Sequence, residues 1–231
     1  PDAADHVAGI LRSTTLSPEA LAAVVELAGR PGATRALVDA LLALDADTTP
    51  EPVRKRVVAS LAATSDDAAV ERLLAIATKG ADYASVAARA LGNVMSASPA
   101  TRARLVEAAK TTTDENLKAQ SIRALGALRE ASAVPTLIEY LATAPPVVRT
   151  ETVIALGRIG RASAAAVAPL GKVYETGDEA LRQHAVIALG HIGTDEALSL
   201  LKQLQTIEKS EKVKTSLGGA IRALEARRVE R

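Results

Sequence analysis

The sequence predicts an all-α fold built of stacked helix pairs, and three observations lead to this prediction. Aromatic residues make up only 1% of the 231 residues, as three Tyr without any Phe or Trp. Apolar residues make up 48%, so a core can form, but only from Ala, Leu, Val and Ile. One sequence frame also recurs at a spacing typical of a helix pair. Because sheets are rich in aromatic and β-branched residues and Ala is the best helix former, this composition favours helices.

The N-terminal region predicts three short helices that lack the recurring frame. Residues 3–12 carry apolar side chains at helical spacing. Ser17-Pro18-Glu19 is typical of a helix start, with Pro at the first helical position, and residues 30–32 (Arg-Pro-Gly) end that helix. Residues 36–44 predict the third helix, and residues 48–52 predict a flexible joint.

From about Pro52 onwards, one frame recurs along the chain. A basic residue or Ala is followed seven residues later by Leu or Ile, most clearly in Arg149–Gly157 and Arg182–Gly190. The marked Leu or Ile residues lie 30, 34, 31, 33 and 32 positions apart, which predicts one helix pair per repeat. The marked residues are Leu61, Leu91, Leu125, Leu156, Leu189 and Ile221.

Each repeat predicts a first and a second helix. First helices carry apolar residues at helical spacing and end at glycines such as Gly160 and Gly193, which suit left-handed caps. Second helices show an i, i+4, i+8 apolar stripe, as in the segment 133–141. Four residues are predicted N-caps of these helices. They are Asp66, Ser98, Ser132 and Asp195.

Glycine recurs late in the first helices, at Gly126, Gly157 and Gly190. A glycine inside a helix costs about 1 kcal/mol relative to Ala. The same cost at one position of several repeats indicates that a neighbouring helix packs too closely for a Cβ. The alternative is that these helices end one turn earlier.

The order of Val/Leu-Arg, Ala-Leu-Gly and Ile-Gly within roughly 32 residues resembles the HEAT-repeat family, and more narrowly the bacterial HEAT-like repeats of the phycocyanobilin-lyase type. The resemblance implies a right-handed α–α superhelix, a HEAT-like solenoid of about six to seven helix pairs, with second helices lining a concave binding face. We expect a single domain over residues 1–231. It would comprise degenerate N-terminal helices (1–50), regular repeats (52–210) and a charged capping helix (211–231).

The resemblance also implies that a basic residue near the start of each first helix pairs with a loop aspartate. Asp178 lies four residues before Arg182, and Asp114 lies four residues before Lys118. This spacing places each pair on one side of a helix, so we interpret the charges as structural. The basic series comprises Arg54, Lys118, Arg149, Arg182 and Lys214.

Charge and composition exclude several protein classes. The 28 Lys and Arg residues balance 27 Asp and Glu residues, which argues against a strongly basic nucleic-acid binder. The chain has no Cys, so disulfides and thiolate metal sites are excluded, and no apolar run reaches the ~18–20 residues of a membrane span. The sequence begins with Pro, as in a processed or trimmed chain. Cytoplasmic localisation is the default expectation, and an extracytoplasmic one stays open if a signal or anchor was removed.

The sequence predicts no catalytic, cofactor-binding or metal site. The segments Gly157–Gly160 and Gly190–Gly193 follow helices instead of strands, so they are not dinucleotide fingerprints. His184 and His191 lie seven residues apart on one helix, roughly 10 Å, which is too far to share a metal ion. Carboxylate pairs such as Asp195-Glu196 open helices, where negative charge stabilises the helix dipole.

The outward side of the second helices is the remaining candidate for function. Tyr and Arg residues commonly become interface anchors, and Tyr140 is the one aromatic residue that the repeat register turns outward. The alternative interpretation is a solvated face without a partner. The predicted protein-binding surface comprises Arg72, Ile76, Arg104, Thr136, Glu139, Tyr140, Lys172, Val173, Lys202 and Gln203.

Three functions fit a repeat protein, and the sequence favours the first. This is a non-catalytic scaffold, without a cofactor and as a monomer, that binds another protein through its concave face. A bilin- or chromophore-lyase-like protein would need a wide apolar pocket with aromatic walls, and aromatic residues are scarce. A HEAT-like nucleic-acid binder would need a basic groove and stacking aromatics, which a net charge of +1 argues against.

Overall fold

The computed structural model describes residues 3–11, 17–28, 35–44, 49–64, 66–78 and 83–229. Within these ranges the chain forms fourteen α-helices and no strand, so the prediction of an all-α fold is confirmed. The helices are α1 (Ala3–Leu11), α2 (Pro18–Ala28), α3 (Arg35–Leu44), α4 (Glu51–Thr64), α5 (Asp67–Thr78), α6 (Ala84–Leu91), α7 (Pro99–Thr111), α8 (Glu115–Ala127), α9 (Val134–Thr143), α10 (Pro146–Ile159), α11 (Val167–Thr176), α12 (Glu179–Ile192), α13 (Asp195–Ile207) and α14 (Glu211–Val229). Two 3-10 segments, Ala131–Ala133 and Gly160–Ala166, precede α9 and α11.

The chain divides into two compact units, Pro1–Ala124 (unit 1) and Leu125–Arg231 (unit 2). The boundary falls inside α8. The expectation of one continuous domain over the whole chain stays a prediction.

Unit 1 packs its helices in two layers. The first layer contains α2, α4 and α6, in which each helix contacts the next, and the second contains α1, α3, α5 and α7 in the same manner. Val53, Leu61 and Leu91 of the first layer and Leu73 and Leu105 of the second are fully buried. The N-terminal helices lack the recurring frame, yet they join the same two-layer arrangement.

Two sequence predictions in unit 1 fall partly beyond what the structure describes. The predicted helix break at residues 30–32 and position 48 of the predicted joint both lie outside the described residues. The last two residues of that joint, Glu51 and Pro52, already belong to α4.

Unit 2 repeats the two-layer arrangement. The first helices α10, α12 and α14 contact one another in succession, and so do the second helices α9, α11 and α13. The marked residues Leu156, Leu189 and Ile221 are buried between the layers. The recurring Leu or Ile is therefore the central core residue of each first helix.

The interior glycines of unit 2 are sites of close helix packing, as predicted. A Cβ added at Gly126 would lie 2.7 Å from Cα of Ala155, and one at Gly157 would lie 2.8 Å from Cα of Ala188. Both distances are shorter than real Cβ contacts, so each glycine lets the next first helix approach. In both contacts the partner is the Ala directly before a marked Leu.

The predicted left-handed caps are confirmed at one position and corrected at the other. Gly193 ends α12 in the left-handed helical conformation (φ 65°, ψ 27°). Gly160 also has a positive φ of 74°, but its ψ of −137° places it outside the left-handed helical region. The difference follows from what comes next, because Gly160 leads into a 3-10 segment and Gly193 leads into a short loop.

Two of the four N-cap predictions are confirmed. The side chains of Asp66 and Ser98 each accept a backbone N–H from the first turn of the following helix, at 2.9 and 3.2 Å. The predictions at Ser132 and Asp195 are wrong. Ser132 lies inside a 3-10 segment, and Thr194 caps α13, so that Asp195 is the first helical residue instead.

One helical run is long and apolar enough, by length and composition alone, to be considered as a membrane span. It covers residues 146–176, with a mean hydropathy of 1.3 in its most apolar window. Half of that window is buried, and the run consists of α10, a 3-10 segment and α11, of which α10 packs against α12. Core helices have the same composition, so this run is weak evidence for a membrane span.

Candidate interaction surface

Three residues of the predicted surface align along unit 2. Leu137, Leu170 and Leu201 are fully buried at equivalent positions of the second helices α9, α11 and α13. The residue two positions after each of these leucines is exposed. Because α11 contacts both α9 and α13, the three exposed residues lie on successive neighbouring helices. We call this set, Glu139, Lys172 and Gln203, the unit 2 ridge.

Tyr140 lies beside the ridge and is half-buried. Its pKa is raised above its ordinary value by burial first and by the negative charge of Glu139 second. Both effects disfavour the phenolate, so Tyr140 presents a neutral hydroxyl and an aromatic ring.

Lys202 is exposed but directed away from the ridge. Its Nζ lies 2.6 Å from Oε1 of Glu225 on α14. Lys202 therefore links a second helix to the first helix that follows, in an exposed ion pair that contributes little to stability.

Arg72 and Arg104 form a separate exposed patch in unit 1. Nη1 of Arg104 on α7 lies 2.5 Å from Oε2 of Glu71 on α5, so this arginine bridges successive second helices. Arg72 is exposed on α5 next to Glu71. The patch is polar and balanced in charge, not uniformly basic.

The other three predicted surface residues are buried, so their assignment to the surface is wrong. Only 6% of Ile76, 9% of Thr136 and 5% of Val173 is exposed. Ile76 and Val173 each lie three residues after a buried leucine, and Thr136 lies three residues after the buried Ala133. Residues three apart share one helix face, so all three side chains turn toward the core.

The predicted pairing of first-helix basic residues with the preceding aspartates does not occur. Asp178 instead accepts the backbone N–H of Leu181 at 2.8 Å, as the N-cap of α12. Nη1 of Arg182 donates to the carbonyl oxygen of Gly177 at 3.1 Å, and its Nε donates to Glu208 at 3.1 Å. A carboxylate before the helix satisfies the first backbone N–H groups and leaves the arginine to other acceptors.

Glu208 is a functional feature that the sequence did not indicate. Only 5% of its side chain is exposed. Its Oε2 accepts from Nε of Arg182 and from the hydroxyl of Tyr174, and its Oε1 accepts the backbone N–H groups of Lys209 and Ser210 at 2.8 Å. The one available signal was the repeated arginine, whose acidic partner lies 26 residues later in the chain.

This network shifts two pKa values in opposite directions. Burial by itself would raise the pKa of Glu208, but the hydrogen bonds from Tyr174, Ser210 and Lys209 and the charge of Arg182 together lower it to about 2. Burial, followed by the bond to Glu208 and its charge, raises the pKa of Tyr174. Glu208 is therefore an anion held by four donors, at the loop that joins α13 to α14.

Candidate ligands for a metal ion do not converge in the described part of the chain. No group of three or more His, Asp or Glu side chains there could hold one. His184 is half-buried on α12, whereas His191 is exposed near the C-terminal end of the same helix. The arrangement favours surfaces for contact over a site for chemistry.

Comparisons with known proteins agree with this architecture. A model of HEAT repeats matches residues 81–157 and 135–225, which together cover more than half of the chain. No curated protein matches the sequence.

Three solved structures are similar to the chain. An engineered protein from the Northeast Structural Genomics Consortium is 20% identical, with a TM-score of 0.55 over 82% of this chain and 98% of that one. The CpcE–CpcF complex of phycocyanin lyase from Nostoc sp. PCC7120 is 19% identical (TM-score 0.49, 96% and 94% covered). Human deoxyhypusine hydroxylase is 20% identical (TM-score 0.47, 98% and 85% covered).

The first of these likenesses concerns the fold alone. The matched segments of the family model contain the glycine–alanine contacts, the marked Leu and Ile residues and the alternating first and second helices described above. The chain therefore belongs to the HEAT-repeat family.

Proposed function

We propose that this protein is a non-catalytic scaffold that binds another protein through the exposed side of its second helices. The unit 2 ridge carries the proposal. Its three residues occupy one equivalent position on three neighbouring helices and differ in charge and hydrogen-bonding capacity. Such a row can recognise an extended partner residue by residue.

Tyr140 supports the same surface. It is half-buried beside Glu139, so its ring is held in place while part of it remains accessible. Rigid aromatic side chains with an accessible edge are frequent interface anchors, because little conformational entropy is lost on binding. The Arg72 and Arg104 patch of unit 1 offers a second contact area of the same polar character.

An affinity purification with the full chain as bait tests the proposal. Lys172→Glu combined with Gln203→Ala reverses the charge of the ridge and removes its amide. We expect the partner recovered by the wild-type bait to be lost or reduced at least tenfold. Arg72→Ala combined with Arg104→Ala tests the unit 1 patch in the same assay.

The matched control carries the same chemical changes on the first helices. Arg158→Glu with Thr215→Ala alters exposed positions of α10 and α14 by the same net charge. This control bait should recover the partner as well as the wild type does. If the wild-type bait recovers no specific partner, or if ridge and control variants reduce recovery equally, the proposal is wrong.

A further inference from the structure

One position near the start of the first helices is basic in five repeats and Ala in the sixth. The exception is Ala84 in α6, where the other first helices carry Arg54, Lys118, Arg149, Arg182 or Lys214. This difference matters because the arginines at this position fill a defined space.

The contacts of two arginines show where that space lies. In unit 2, Arg182 extends from the carbonyl oxygen of Gly177, before its own helix, to Glu208, before the next first helix, at 3.1 Å each. In unit 1, Arg54 extends forward in the same way, with Cζ 4.7 Å from the ring centroid of Tyr83 directly before α6. The side chain therefore occupies the gap between one first helix and the start of the next.

At Ala84 a groove of about 340 Å³ lies in the corresponding position of unit 1. It is bordered by the start of α6 and the start of α8, the next first helix of unit 1. Its volume is within the range of small-ligand sites. Its walls include the apolar Ala84, Ala88 and Leu117 and the polar Ser85, Asp114 and Asn116.

The lining of this groove matches a guanidinium group on an aliphatic stem. The apolar side chains can cover the methylene groups, as they do for arginines elsewhere in proteins. Asp114 is exposed and uses Oδ1 to accept the backbone N–H of Leu117 at 2.7 Å, which leaves Oδ2 for a second donor. With Ser85 and Asn116, the groove offers a carboxylate and two neutral oxygens to a planar donor with five N–H groups.

We propose that this groove binds an arginine side chain of a partner protein, which occupies the space that the other repeats fill with their own basic residue. The site lies at the starts of first helices, away from the second-helix surface of the proposed function. A negative result at either surface therefore leaves the other proposal standing.

Amide NMR of the full chain during titration with Nα-acetyl-L-arginine amide tests the proposal. We expect saturable shifts at Ala84, Ser85 and Asn116. The citrulline analogue has the same shape without the charge and should bind at least tenfold more weakly. Equal binding of both compounds, or no saturable shift, would overturn the proposal. Free L-arginine is the arm for a small-molecule occupant, and tighter binding of it than of the blocked arginine would overturn the assignment to a protein partner.

Two variants and one control locate the binding. Ala84→Arg supplies the missing side chain, so the shifts should disappear while thermal stability is kept or raised. Asp114→Asn keeps an N-cap, since Asn also caps helices, but should weaken binding about tenfold or more. Asp178→Asn, at the N-cap of α12, should leave binding unchanged. Unchanged binding in Ala84→Arg, or in Asp114→Asn should the former not fold, would contradict the proposed site.

Discussion

The carboxylate of Glu208 organises the loop before α14. It accepts from two side chains and two backbone N–H groups, while only 5% of its side chain is exposed. A buried carboxylate is tolerated only when donors of this kind replace water. A single side chain thereby joins α11, α12 and the loop before α14.

Glu208→Gln should destabilise the protein by about 2 kcal/mol at pH 7, because a charged acceptor and its arginine contact are lost. The pKa of Glu208 is about 2 in the folded protein, below the value of 4.5 for a free side chain. The stability gained from ionisation is therefore complete above pH 4.5 and is lost as the pH falls toward 2. Urea unfolding should show the difference between wild type and variant shrinking across that window.

Glu211→Gln is the matched control for this experiment. Glu211 pairs with Lys214 at 2.7 Å, but 86% of its side chain is exposed. Exposed pairs contribute little, so this variant should unfold within about 0.5 kcal/mol of the wild type at every pH. A wild-type to Glu208→Gln difference that is independent of pH would contradict the account of the Glu208 network.

At the scale of the helix, glycine sets the distance between first helices. The helix-to-helix contact at Gly157 involves backbone atoms of Ala188, which cannot move aside as a flexible side chain can. Gly219 of α14 is also helical, but a Cβ added there would meet nothing within 4 Å. The same residue type therefore has two different roles in one layer.

Gly157→Ala should destabilise the protein by about 1–2 kcal/mol, because forced separation of α10 and α12 outweighs the gain in helix propensity. Gly219→Ala should stabilise it by about 0.5–1 kcal/mol, because only the gain in propensity operates. Thermal or urea unfolding of both variants measures the two changes. Destabilisation of equal size in both variants would show that close packing is not the reason for Gly157.

At the scale of the whole molecule, contacts between successive helices dominate each unit. First helices contact neighbouring first helices, and second helices contact neighbouring second helices, in unit 1 and in unit 2 alike. In repeat proteins with such contacts, stability is approximately a sum of repeat and nearest-neighbour contributions. The loss of one core residue should therefore act mainly on the adjacent helices.

Leu189→Ala should cost about 2–5 kcal/mol and lower the hydrogen-exchange protection of α10, α12 and α14 most strongly. Amides of α4 should change much less. Leu61→Ala, at the equivalent position of α4, is the reciprocal variant and should act mainly on α2, α4 and α6. Equal loss of protection in both units for both variants would contradict nearest-neighbour stability.

The candidate surface was only partly predictable because its register depends on small rotations of each second helix. Glu139, Lys172 and Gln203 were assigned correctly to the exposed side of their helices. Ile76 and Val173 were misplaced because they lie one turn after a buried leucine, at a position that is buried or half-buried according to the neighbouring helix. Their use in partner binding, and that of the ridge itself, stays a prediction.

The sequence by itself determined the all-α fold, the helix-pair repeat and the close contacts at Gly126 and Gly157. These follow from composition, period and the recurrence of glycine at one register, all of which are local or repeated properties of the chain. Tertiary structure alone decided that Arg182 pairs with Glu208 instead of Asp178, and that Ala84 borders a groove. Both features depend on side chains that are distant in sequence and become neighbours only when successive repeats pack.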